Sequence, residues 1–228
     1  MYLPEHFAET DSARISGVIA SAPLACIIAQ TEAGLLANHI PLLSKPDGSL
    51  IGHVAKANDM HRTILDGQEV LAVFTSMEAY VSPNFYPSKQ EHHRHVPTWN
   101  YVTVHVHGTI RFQHDRQAKH AVVGLLTRLH ERRVNGDAGW KMGDAPADYM
   151  AEMLENIVAF RITPTRIDAK SKLGQNRDAR DYDGAIKGLR ASGQTRMADA
   201  MQQRAARLKN GAQEHAGESL KPRPPAHR

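Results

Sequence analysis

The chain has one cysteine, Cys26, few aromatic residues (6%) and no apolar run long enough to cross a bilayer. A single thiol excludes an internal disulfide, so nothing in the sequence calls for an oxidising compartment. A membrane helix needs about 20 apolar residues, and the N-terminal stretch carries Glu5, His6, Glu9 and Asp11 where a secretory leader would be basic. These absences predict a soluble, unprocessed, cytoplasmic protein with no membrane partner. Also missing are a Gly-x-Ser-x-Gly elbow, a Gly-x-Gly-x-x-Gly turn and a Walker loop, which removes the common serine-hydrolase and nucleotide-binding signatures. Cys26 lies within the apolar run LACIIAQT, where a thiol serves as a small hydrophobe rather than a nucleophile.

What is present is an ordinary globular composition, 41% hydrophobic over 228 residues, with a formal net charge of +4. That charge is unevenly placed. Up to Ala185 there are 19 basic and 21 acidic residues, net −2; beyond it there are 9 and 3, net +6. A basic surface for nucleic acid is therefore expected only in the last 43 residues.

Asp11 and Ser12 are N-cap residues for a short helix ending before Pro23. Strand texture follows in 24–31, 35–43, 49–55, 70–77 and 79–82, with turns at 32–34 and at Lys45-Pro46-Asp47-Gly48. The segment 98–112 alternates most cleanly, with Val102, Val104 and Val106 on one face and Thr103, His105 and His107 on the other. Helices are expected over 116–133 and 147–155, then a strand over 156–168 whose Pro164 marks an edge or an end. About six strands joined mainly by hairpins predict an α+β protein, an antiparallel barrel or sheet with peripheral helices. The boundaries expected are a barrel domain over 1–183, a basic C-terminal helix over 184–209 and a disordered tail over 210–228.

Fourteen histidines invite a metal reading, and His92, His93 and His95 cluster in EHHRH. No second ligand motif accompanies them, so a solvated loop is the competing account and no metal site is expected. More unusual are polar residues inside strand-like sequence: Asn38 and His39, His53, and Trp99 with Asn100. Such groups are either satisfied internally or face a polar ligand. A flavin suits the second case, because its ring needs a flat slot, donors and acceptors along one edge, and cations for the phosphate. Lys56, Lys89, Lys170 and Lys172 supply the cations, and Trp99 or Tyr101 a wall.

At MYLPEHF (from Met1), GLLANHIPLL (Gly34), GHVAKAN (Gly52), AYVSPNFYPSK (Ala79), VPTWNYVTVHVHG (Val96) and KLGQNR (Lys172), the sequence resembles the PaiB-type family of FMN-binding negative transcriptional regulators. The resemblance implies an antiparallel split β-barrel of the FMN-binding class, a homodimer, and FMN as cofactor. It further implies that Asn38, His39, His53, Lys56 and Asn58 border the flavin. Ser88 and Lys89 would contact an anionic group, and Trp99, Asn100, Lys172 and Gln175 would complete the site. Gly174 stands where family members often have Ser, and Asp59 where Pro often follows the Asn.

Two functions follow. One is a dimeric FMN-binding repressor, with any DNA contact made through the basic C-terminal segment. The alternative is a flavin-dependent oxidoreductase acting on a small substrate or NAD(P)H, for which His39, His53 and His105 are proton-transfer candidates. A regulator rather than an enzyme is the first expectation. A barrel slot that takes haem through a histidine is the remaining reading.

Overall fold

A computed structural model describes residues 1–218 of the chain, with side chains as far as Arg207. Its main elements are α1 (Ser12–Ser21), β1 (Leu24–Thr31), β2 (Gly34–Pro41), β3 (Leu43–Ser44), β4 (Leu50–Ala55), α2 (Met60–Thr63), β5 (Glu69–Val81), α3 (Lys89–His92), β6 (Thr98–Gln113), α4 (Arg116–Asn135), α5 (Ala147–Glu155), β7 (Ile157–Lys172), α6 (Ala179–Ala191) and α7 (Thr195–Glu218). Packing divides them into two units. The first holds Met1–Ser76 and Val102–Ser171; the second holds Met77–Tyr101 and the chain from Lys172 onward.

The first unit is built on a sheet in the order β2-β1-β5-β6-β7-β4-β3. β1 and β2 form a full hairpin from Leu24↔Pro41 to Thr31↔Gly34, and β4 pairs antiparallel with β7 from Leu50↔Ile162 to Ala55↔Ile157. β2 also touches β4, far along the strand order, so the sheet curls on itself. Period-two alternation fills the interior with Ala25, Ile27, Ala29, Leu50, Val54, Phe74, Val104, Val106, Phe160 and Ile162, all buried. Asp11 caps α1 by accepting from the Arg14 N–H (3.0 Å), as its sequence position predicts. On the other face of β4, Ile51 packs with Val122 and Leu126 of α4, which makes α4 a peripheral helix. Pro164 falls past Ile162, where pairing with β4 has ended, although β7 itself continues to Lys172. There its missing N–H costs no β4 ladder bond.

Differences from the sequence reading have physical causes. The segments 70–77 and 79–82 are one strand, because Glu78 interrupts the apolar pattern without breaking the backbone. The helix expected over 184–209 is two helices, α6 and α7, separated at Ser192–Gln194, where Gly193 takes φ +80°. α7 continues to Glu218, beyond the expected end at residue 209; the rest of the expected tail, 219–228, lies outside the described residues.

In the second unit α6 packs on the segment that follows β5. A Cβ at Gly184 would stand 2.4 Å from the Phe85 carbonyl oxygen, and one at Gly188 would stand 2.3 Å from the Phe85 ring. Ile186, Leu189, Met197 and Met201 form the buried stripe of α6 and α7. Tyr182 donates its hydroxyl to the Met201 carbonyl (2.8 Å), and burial pushes its pKa up to about 12. The expectation of one domain ending at residue 183 thus meets a different grouping, since α6 is tied to residues 82–88 by absent glycine side chains that sequence periodicity does not register.

Close backbone approach in the first unit gives a direct test. A Cβ at Gly108 would lie 2.4 Å from the Thr163 carbonyl oxygen, whereas one at the exposed Gly17 of α1 meets nothing within 4 Å. Gly108→Ala is expected to destabilise by about 1–3 kcal/mol through overpacking, and Gly17→Ala to stabilise by up to about 1 kcal/mol through helix propensity. Chemical denaturation of both variants checks the pair, and equal midpoints would contradict it.

Candidate functional site

Asn38 lies on β2 between Leu36 and Ile40 of the same face, both of which belong to the interior cluster, so its amide is directed inward. It meets Asn58 from the loop after β4: Asn58 Nδ2 donates to Asn38 Oδ1 (3.2 Å). Asn58 is itself held by the Met60 N–H, which donates to Asn58 Oδ1 (2.9 Å) and starts α2. The backbone of Lys56 is braced in the same loop, its carbonyl accepting from Arg62 Nη1 (3.3 Å) and lying 3.0 Å from His61 Nε2. Lys56 is exposed, and its ammonium has no partner among the described residues. Asp59 at the head of α2 pairs with Arg62.

The other strand residues are placed differently. His39 is exposed on the outer face of β2. His53 shares the face of Ile51 and so looks toward the α4 side of β4, away from the interior that Asn38 faces. Its Nδ1 is buried and unpartnered among the described residues. Lys170 is buried and donates to the Tyr2 carbonyl (3.0 Å), which removes it from the pool of available cations.

Residues predicted for the site from the later motifs lie in the second unit, where the structure shows partners for each. Ser88 is buried against α6: its N–H donates to Asp181 Oδ1 (3.1 Å) and its hydroxyl to Asp181 Oδ2 (2.7 Å). With that proton committed, Ser88 Oγ accepts from His95 Nε2–H (2.7 Å), leaving Nδ1 to accept from Arg177 Nη1 (3.3 Å). The guanidinium of Arg177 also lies over the Tyr86 ring, 4.7 Å from its centroid. Lys89 bonds the Asn84 side chain. Lys172 donates to Thr98 Oγ1 (2.6 Å) and to the Trp99 carbonyl (2.7 Å), and Gln175 Oε1 accepts from the Leu173 N–H (2.6 Å). Asn100 is buried with its Nδ2 3.5 Å from Met201 Sδ. Trp99 is half-exposed, edge-on to Tyr80 at 6.0 Å. Gly174 has φ +79°, a left-handed conformation that favours glycine.

Sequence reasoning missed Asp181, Arg177 and the buried state of His95. The EHHRH loop is solvated at His92 and His93, but the His95 side chain is only 7% exposed. The signal that marks it is the KLGQNR motif, whose Arg177 reaches the imidazole. Among the described residues no three His, Cys, Asp or Glu side chains converge as a metal set.

Several groups titrate abnormally. Burial pushes Asp181 up, but the two Ser88 hydrogen bonds, aided by His95 and Arg177, outweigh it and hold the carboxyl below its ordinary range. Burial lowers His53. Burial, then the Met1 amine, lowers His105 against the opposing pull of Asp168. His107 faces Arg166, whose Nη2 is 2.8 Å from His107 Nε2, and Asp168 at 3.7 Å.

For His53 and His105 the folded pKa lies below the ordinary 6.5, so the unfolded chain takes up protons first. Their contribution to stability is complete above that value and is lost as pH falls below it. The melting temperature is expected to drop between about pH 7.5 and about pH 5.5, and His53→Gln to flatten the slope; a pH-independent melt in the wild type would contradict this.

The amides of Asn38 and Asn58, with the unpartnered ammonium of Lys56 nearby in sequence, form a donor and acceptor set of the kind a flavin edge and phosphate require. Comparison with known proteins bears on the family and the cofactor. Residues 1–166 match the family model described as "Putative FMN-binding domain". The protease synthase and sporulation protein PAI 2 of Bacillus subtilis is 28% identical over 192 residues, covering 83% of this chain and 89% of that protein. An uncharacterized protein of Emericella nidulans is 26% identical over 226 residues, covering 83% and 90%. Among solved structures, the flavocytochrome Anf3 of Azotobacter vinelandii aligns with TM-score 0.57 at 14% identity over 78% of this chain and 75% of its own. The FAD and heme binding protein of Mycobacterium smegmatis aligns with TM-score 0.54 at 17% identity, covering 78% of each chain. At these identities the structures establish the split-barrel fold alone, while the family match covers most of the sequence, so the chain belongs to the FMN-binding split-barrel family, whose cofactor is a flavin.

Proposed function

We propose that the protein is a dimeric FMN-binding regulator whose flavin is held in the first unit by Asn38, Asn58 and Lys56. The observation that carries the binding part is the inward-facing amide pair Asn38–Asn58, with Asn58 two residues along the chain from Lys56, whose exposed ammonium has no partner among the described residues. Asn58 fixes Asn38 and is itself fixed by α2, so the pair is oriented before a ligand arrives. Lys56 serves as the phosphate counter-charge, while His39, on the outer face of β2, lies on the opposite side of the strand from Asn38. Within the second unit, Trp99 stands edge-on to Tyr80, and Ser88, Lys89, Asn100, Lys172 and Gln175 are engaged by the partners described above, so the proposed contacts to the flavin are those of the first unit. A bound flavin supplies reversible hydride or electron transfer at its ring.

The regulatory part rests on similarity to the sporulation protein over most of both chains. Self-association is inferred from the family resemblance alone, since the exposed Leu24 and Leu35 stand at opposite ends of the β1–β2 hairpin. DNA contact, if made through the C-terminal segment, has fewer open cations than the charge count implied. Arg190 is paired with Asp199 (2.6 Å) and bonded to Gln202 (2.6 Å). Removing 208–228 tests that contact better than removal from Ala185, because α6 and the start of α7 carry the buried stripe of their unit.

The oxidoreductase reading is the alternative, favoured by fold likeness to a flavocytochrome and to a FAD and heme binding protein. Absorbance titration with FMN and with riboflavin separates the components. FMN is expected to bind, Lys56→Ala to weaken FMN by at least about tenfold with riboflavin little changed, and Asn38→Ala to weaken both. No binding of either flavin would overturn the proposal, and NAD(P)H consumption by the loaded protein would transfer it to the alternative.

A further inference from the structure

We infer that the outer face of α4 carries a second binding site, for a small aromatic anion of mononucleotide size, formed by Trp140, Arg128 and Arg132. A cavity of about 700 Å³ lies between α4 and the loop that follows it, all within the first unit. This is the volume range of small-molecule sites, and none of the residues assigned above to the flavin lines it.

The lining follows from helix geometry. Val122 and Leu126 face Ile51 and the sheet, so Gly124, Arg128 and Glu131 stand on the opposite side of α4. Arg128 and Arg132, one turn apart, are exposed at the cavity and have no hydrogen-bond or ionic partner among the described residues. Lys141 adds a third cation to the rim.

The loop is braced rather than loosely laid over the helix. Glu131 Oε2 accepts from the Trp140 N–H (3.0 Å) and from Asn135 Nδ2 (2.8 Å), and these bonds hold its carboxyl below the ordinary range. Glu131 is therefore spent on fixing Trp140, leaving Asp137 as the acidic group of the rim against the three cations. Gly139 permits this closeness, since a Cβ there would stand 2.9 Å from Glu131 Cβ and 3.1 Å from its backbone carbon. Lys141 N–H donates to Asp144 Oδ2 (2.8 Å) and fixes the far side of the loop. Trp140 is 42% exposed with its backbone so held, a stacking surface beside unpaired guanidinium groups. A planar ring suits the indole, and phosphate or carboxylate suits the arginines.

Calorimetric titration of the full chain with AMP, ribose 5-phosphate and adenosine separates ring from anion. AMP is expected to bind saturably and at least about tenfold more tightly than either of the others. Trp140→Ala should reduce AMP to the level of ribose 5-phosphate, and Arg128→Ala with Arg132→Ala to the level of adenosine. FMN binding, followed separately by flavin absorbance, should persist in both variants. AMP no tighter than ribose 5-phosphate, no saturable binding of any of the three, or AMP affinity unchanged by the substitutions would overturn the inference. So would loss of FMN binding in Trp140→Ala, which would make this cavity the flavin site. Failure of FMN to bind the wild type would count against the flavin proposal alone.

Discussion

Closure of the first unit depends on β2 meeting β4, and that contact depends on Gly52. A side chain there would sit 2.8 Å from Leu42, 2.7 Å from the Phe160 ring and 3.1 Å from the Pro41 carbonyl, so the end of β2 and the chain after it press directly onto the β4 backbone. Interior packing tolerates little added volume. The same approach delivers the loop after β4 to the inward face of β2, where Asn58 finds Asn38. Fold and candidate site are in this sense one event: the glycine opening GHVAKAN lets the barrel curl, and the asparagine ending it uses the result.

Much of this was legible in the sequence because period-two alternation survives in the strands that matter. The alternation locates the β1–β2 hairpin, β4 and β6 to within a residue or two and puts Val102, Val104 and Val106 of β6 on the buried face. The site was legible as a set of residues but not as an arrangement. Asn38 and Asn58 came together, whereas His53, read beside them, faces α4 because alternation sets it with Ile51. The family resemblance makes Ser88 an anion contact, yet its hydroxyl is bound to Asp181, 93 positions away. Pairings at that sequence separation leave no local pattern, and neither does the α4 cavity, whose shape depends on a loop folding back onto Glu131.

Charge follows the same lesson at larger scale. Within the C-terminal segment, Arg190 is engaged by Asp199, one of the three acidic residues already set against its nine basic ones. Unpartnered cations among the described residues occur in the first unit too, at Lys56 and on the outer face of α4. Some of the open positive charge among the described residues thus lies in the first unit, where small anions, flavin phosphate among them, could be held.

The claim that the flavin is held through the Asn38–Asn58 pair is tested most directly by NMR of side-chain amide resonances during addition of FMN. Asn38 and Asn58 are expected to shift with saturation while Asn100, buried in the second unit, stays unchanged. A shift of Asn100 and Gln175 with Asn38 and Asn58 unmoved would contradict it.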